Sequence, residues 1–195
     1  GLVASIPGSV VLIDHAVSHG DRWHIVSFGI YSASLVISYA VFTLYHIIKF
    51  HKRWGKVFRI LDHSTIYILI AGTYTPFALV SLRGNWGWTL FSIVWGVTIL
   101  GVLFKIFFVH RFKIMAPLLY LLMGWLIVFA AKPAIALIPE AGLWLLLAGG
   151  LFYSIGLIFY AWKWLHFHHA IWHLFVLAGS TCHFFAIYKL VINDT

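Results

Sequence analysis

Long apolar runs separated by short polar segments dominate the chain. Mostly apolar stretches cover 24–48, 61–82, 86–108, 114–131, 141–163 and 170–192. Each approaches or exceeds the roughly 20 residues that a helix needs to cross the hydrocarbon core of a bilayer. Residues 1–13 (GLVASIPGSVVLI) are apolar but too short to cross alone, and they carry no basic n-region of a signal peptide. They read as the second half of a first span whose beginning is trimmed. The expected fold is therefore an all-α integral membrane protein, a seven-transmembrane-helix bundle with its first helix truncated at its start. Residues 1–195 form a single transmembrane domain, with no internal repeat or linker.

Turn chemistry supports these boundaries. Arg83-Gly84-Asn85 separates the third span from the fourth, Pro133 follows the fifth, and Pro139 with Gly142 precede the sixth. Pro76 lies inside the third span, where it is expected to kink the helix. Trp54, Trp86, Trp88, Trp162 and Trp164 sit near span ends, as residues of an interfacial aromatic belt do.

Composition agrees. Hydrophobic residues make up 63% of the chain and charged ones 9%, far from the near-even apolar share and quarter of charges in soluble domains. The lone Cys182 excludes an intrachain disulfide framework and a two-cysteine zinc site, and reads as a small buried hydrophobe. The net charge of +8 does not point to nucleic acid, because the basic residues fall in short loops beside apolar spans. Lys49, Lys52, Arg53, Lys56, Arg59, Lys105, Arg111, Lys113 and Lys163 collect on one side. Arg22, Arg83, Lys132 and Lys189 lie on the other. That asymmetry puts the first group and the N-terminus in the cytoplasm and the C-terminus outside. Asp62 is the one carboxylate on the cytoplasmic side.

Of the 12 histidines, most need no special chemistry. His15, His19, His24, His51 and His110 fall in loops or at interfaces, and His183 reads as a satisfied core histidine. Three others end spans on one side of the membrane. His46 closes the second span, and His169 and His173 open the seventh, spaced four residues apart and so on one helix face. Asp62 opens the third span at the same depth. Three histidines with an open fourth position suit a catalytic zinc ion, which makes bound water acidic, and Asp62 could orient that water, accept its proton or ligate the metal. Plainer readings stand beside this one: the HxxxH pair as interfacial histidines, Asp62 as an N-cap, and His46 as an end-of-helix residue. Ser34, Ser38, Thr98, Ser154 and Ser180 could mark a transport path but read better as helix-packing contacts.

Several of these segments resemble the haemolysin III proteins of the progestin and adipoQ receptor superfamily. They are Tyr45-His46, Leu61-Asp62-His63-Ser64 running into Ala71-Gly72-Thr73-Tyr74-Thr75-Pro76-Phe77, Gly124-Trp125, Gly149 to Gly156, and His169-Ala170-Ile171-Trp172-His173-Leu174-Phe175-Val176. The match runs through nearly the whole chain in order. It implies seven helices with a cytosolic N-terminus, as a multi-pass protein of a bacterial inner membrane. It also implies Zn2+ on His46, His169 and His173, with Asp62 close to the water. The wider group, which includes alkaline ceramidases, implies hydrolysis of a lipid amide or ester, with membrane lipid and zinc as partners. Relatives described as lipid-state sensors or as cytolysins supply the alternatives. One residue departs from the family pattern: Phe42 stands where a Ser usually precedes the first histidine by four positions, with Thr43 beside it. Thr43 is rotated about 100° around the helix from that position, so it is not assumed to replace the Ser.

Overall fold

In hydrocarbon every backbone N–H and C=O must be satisfied within its own segment, which leaves helices as the economical way to cross. The computed structural model describes residues 1–48, 51, 54–108 and 115–190, with the side chains of residues 108, 115, 116 and 169 outside the description. Among the described residues all regular structure is helical: α1 (Leu2–His19), α2 (Arg22–Ile48), α3 (Trp54–Pro76), α4 (Asn85–Phe108), α5 (Met115–Gly124), α6 (Ala131–Leu137), α7 (Glu140–Ala161) and α8 (His168–Tyr188). Among the described residues seven segments are long and apolar enough to cross a membrane, because α5 and α6 join through a 3₁₀ turn into one span, Pro117–Leu137.

The boundaries differ from the apolar runs in instructive ways. α1 does not stop at Ile13 but continues through Asp14 to His19. Its last turns bury Leu12 and Ala16, and His15 stacks on Tyr188 of α8 at 4.2 Å, so a mostly polar turn still has a packed face. His15 and His19 are thus helical. His24 lies within the first turn of α2 and is buried rather than being a loop residue. α3 starts at Trp54, which puts Asp62 two turns inside the helix and excludes it as the N-cap. The fifth span runs on past Pro133. That proline sits in the first turn of α6, where a missing N–H costs nothing because those donors have no helical partner. Lys105, counted with a loop by charge pattern, lies in α4 and is buried. His110 lies outside the described residues.

Pro76 acts as expected, with a π-helical turn at Phe77–Ser81 immediately after it. Thr73 and Thr75 return their hydroxyls to the carbonyls of Leu69 and Ala71, both at 2.8 Å, and Trp95 of α4 donates to Thr75 Oγ1. The reversal into α4 uses Gly84 at φ 126°, a conformation that side chains resist.

α2 packs most closely on α3, and α7 on α8. Gly72 of α3 lies against Ser34 of α2, and Ser38 Oγ donates to the Thr65 carbonyl at 3.0 Å. Thr98 likewise reaches the Tyr67 carbonyl from α4. The small polar residues therefore serve as helix-packing contacts. Tyr31, Phe28, Tyr67 and Phe77 fill the interior. The fifth span is lightly packed, and Phe129 is 81% exposed.

Candidate metal centre and adjoining cavity

His46 sits in the last turn of α2 and His173 in the second turn of α8. Their ring centres are 5.0 Å apart, with the planes near perpendicular. His46 Nδ1 lies 2.8 Å from the carbonyl oxygen of Phe42. A carbonyl only accepts, so Nδ1 carries the proton and the neutral ring keeps its lone pair on Nε2. Metal-binding histidines are commonly oriented in this way. His169 occupies the preceding turn of α8, on the same face as His173; its side chain is outside the described ones. Phe167, just before α8, adopts a left-handed conformation at φ 60°, unusual for a bulky residue.

Asp62 is half-buried on α3. It lies within electrostatic reach of Tyr120 and Tyr160. Among the described residues no three histidine, cysteine or carboxylate groups converge enough to hold a metal. The structure thus brings His46 and His173 together, while Asp62 does not complete a group of three ligands with them and the His169 side chain lies outside the description. The donor chemistry that is present, one pre-oriented imidazole facing another, fits zinc.

A cavity of about 240 Å³ runs alongside, between α3, the fifth span, α7 and α8. Phe42 and Trp172 stand at the histidine end, while Leu143 and Ala134 lie deeper. Phe42 joins the two features, since it lines the cavity and its ring centre lies 6.1 Å from that of His173. Thr43 points elsewhere: it is exposed and its hydroxyl donates to the Tyr39 carbonyl at 2.8 Å. The few polar groups in the wall are largely engaged. Tyr74 donates to the Gly124 carbonyl at 2.6 Å and accepts the Ile127 N–H at 3.0 Å, bridging the 3₁₀ break. Tyr153 pairs with Ser180 at 2.8 Å, and Trp125 donates to Ser154 at 3.0 Å. His183 is buried and its Nε2 lies 3.3 Å from the Leu146 carbonyl, in keeping with a core role. Sequence reasoning did not find the cavity, although Gly124-Trp125, a motif of the resemblance, marks the break that shapes it.

Comparison with known proteins follows the same residues. A family model described as haemolysin-III related matches residues 1–184. Hemolysin-3 of Bacillus cereus is 50% identical over 192 residues, covering 98% of this chain and 87% of that protein. The Hemolysin-3 homolog of Bacillus subtilis is 50% identical over 187 residues, covering 96% and 87%. The human monocyte to macrophage differentiation factor is 29% identical over 201 residues, covering 99% and 81%.

Proposed function

The chain belongs to the haemolysin III family of the progestin and adipoQ receptor superfamily, and on that premise we propose that it is a zinc-dependent hydrolase of lipid amide or ester bonds, with a role in membrane lipid homeostasis. The observation that carries this reading is the approach of His46 to His173 at the end of an apolar cavity. His46, His169 and His173 would hold the ion. When bound, zinc supplies Lewis-acid polarisation of an acyl carbonyl and makes water acidic near neutral pH.

The remaining work falls to the chain. His46 Nδ1–H, tied to the Phe42 carbonyl, fixes its imidazole. The cavity takes an acyl chain, as pockets between bundle helices do, and presents its carbonyl end at Phe42 and Trp172. Asp62 takes the proton from the attacking water and returns it to the leaving amine or alcohol. The excess of basic residues at the histidine end supports a position for this chemistry on the cytoplasmic side of a bacterial inner membrane.

Phe42 favours a second reading. It offers no hydroxyl, and it stands between the histidines and the cavity. In that reading zinc clamps helices of a non-enzymatic sensor of membrane lipid state. Lysis, which the name of the bacterial relatives suggests, has less support, since spans this apolar could not first dissolve in water. Metal-loaded protein offered a panel of ceramides and acyl lipids decides between the first two. Fatty acid released by the wild type and absent with Asp62→Ala supports the hydrolase. No release above that control, with His46→Ala lowering stability, supports the sensor.

A further inference from the structure

His15 and His19 of α1 repeat the four-residue spacing of His169 and His173, at the opposite end of the bundle. That spacing puts two side chains one turn apart on one helix face. Their ring centres lie 4.9 Å apart, with the planes tilted by 45°, a separation close to the 5.0 Å between His46 and His173. The two places are far from each other. His24 is within electrostatic reach of His15, and from His24 to His46 α2 runs for about 33 Å, at 1.5 Å per residue.

A pair of histidines at a helix end is ordinarily a solvated one, and two observations set this pair apart. His15 is half-buried and stacks on Tyr188 of α8 at 4.2 Å, with the planes 16° apart, which fixes its ring. Its Nε2 is buried and has no hydrogen-bond partner among the described residues. In either tautomer that nitrogen carries a lone pair without a donor or a proton without an acceptor, and both are costly away from water. A bound cation satisfies the lone pair. His19 is exposed in the last turn of α1, so its ring can adjust to an incoming ion. Asp14, also within electrostatic reach of His15, adds negative charge beside the pair. His24 is committed to Asp21, its Nδ1 2.9 Å from Oδ1. Among the described residues no third ligand joins the two histidines.

We propose that His15 and His19 form a second, exchangeable site for a late first-row divalent cation, with water in its remaining positions. Imidazole suits Zn2+, Cu2+ and Ni2+, and affinity at a given nitrogen site peaks at Cu2+. Two imidazoles hold an ion less firmly than three, so this site empties during purification and adds nothing to the zinc carried by the His46 centre. Ligation fixes the last turn of α1 where His15 meets α8, and binding to the folded chain alone raises its stability. The site stands whether or not the chain hydrolyses lipid.

The test is uptake of stoichiometric Cu2+ by the full chain, purified in detergent and incubated with zinc, read by electron paramagnetic resonance. The wild type is expected to coordinate Cu2+ through two imidazole nitrogens and to gain a few degrees in Tm. His15→Gln and His19→Gln are each expected to lower the nitrogen count to one, and the double variant to lose the signal. His166→Gln, at an exposed histidine of the other end, keeps it. Gln is a good helix former and His19 is exposed, so His19→Gln keeps the test decisive even if His15→Gln does not fold. A wild type that takes up no Cu2+, or a spectrum unchanged by His19→Gln, overturns the site. Release of zinc in step with Cu2+ uptake assigns the ion to the His46–His173 centre and likewise overturns it.

Discussion

His46 and His173 come from opposite ends of the chain, yet their ring centres meet 5.0 Å apart while the His46 Nδ1–H is held by the Phe42 carbonyl. The hydrogen bond removes the freedom of His46 to present either nitrogen, so Nε2 is the atom that the proposed zinc would use. Pre-orientation of this kind is worth roughly 10- to 100-fold in metal affinity.

Purified wild-type protein is accordingly expected to carry about one zinc per chain, as a three-histidine site would. His46→Ala and the His169→Ala/His173→Ala double variant are expected to lose it. Elemental mass spectrometry on detergent-purified protein makes the measurement. A folded wild type that takes up no zinc from buffered solution would remove the hydrolase reading and leave the histidines as helix-end residues.

The parts of this arrangement were unequally legible in the sequence. Spans announced themselves because a bilayer demands long apolar runs, and four-residue spacing was enough to put His169 and His173 on one face. The meeting of α2 with α8 depends on tertiary packing, which no local pattern encodes. Lys105 misled because charge counting treats every lysine near a span end as solvated, whereas a buried one is visible only from its neighbours. Asp62 was misplaced for a related reason: Trp54 to Leu61 carry charges yet belong to α3, so the apolar run began later than the helix. The cavity was hidden because it rests on the 3₁₀ break after Gly124 and on the hydroxyl of Tyr74, which satisfies it from another helix.

Phe42→Ser tests whether the wall between histidines and cavity limits catalysis. Position 42 faces His173, unlike Thr43, so a hydroxyl placed there can reach a carbonyl bound at the site. Losing a donor of that type costs an enzyme about 10²–10³ in kcat, so a gain of about tenfold or more in lipid hydrolysis is expected. A stability loss of about 3–5 kcal/mol accompanies it, as for other truncations of a packed Phe. Unchanged or undetectable turnover with zinc still bound favours the sensor.

Tyr74→Phe tests how the fifth span is held. One hydroxyl serves both Gly124 O and Ile127 N, so its removal strands a buried acceptor and a buried donor at about 1–3 kcal/mol each before relaxation. Amide exchange at Ile127 is expected to speed up and the Tm to fall, with zinc content unchanged. Protection equal to wild type at Ile127 would mean that the backbone satisfies itself and that Tyr74 is mere filling.

At the far end of the bundle, Asp21 is the N-cap of α2. Its Oδ1 accepts the N–H groups of Trp23 at 2.8 Å and His24 at 3.0 Å, and its own N–H lies 3.1 Å from His24 Nδ1. Arg83 reaches its other oxygen at 3.3 Å. Burial pulls the carboxyl pKa upward, but the hydrogen bonds from His24 and Trp23 outweigh it and hold the pKa below the usual 3.8. A lowered folded pKa means that the contribution is complete above the unfolded value and disappears as pH falls through the folded one. Stability is therefore expected to decline as the pH falls from the unfolded carboxyl value through the lower folded one, by a small amount because the group is largely in water. Asp21→Ala is expected to cost about 1 kcal/mol near neutral pH. Asp21→Asn keeps the capping oxygen and is expected to cost less, with a flatter acid limb. Thermal unfolding of the three proteins across that pH range gives the answer: parallel acid limbs in wild type and Asp21→Asn would assign the pH dependence to other groups and leave Asp21 a cap alone.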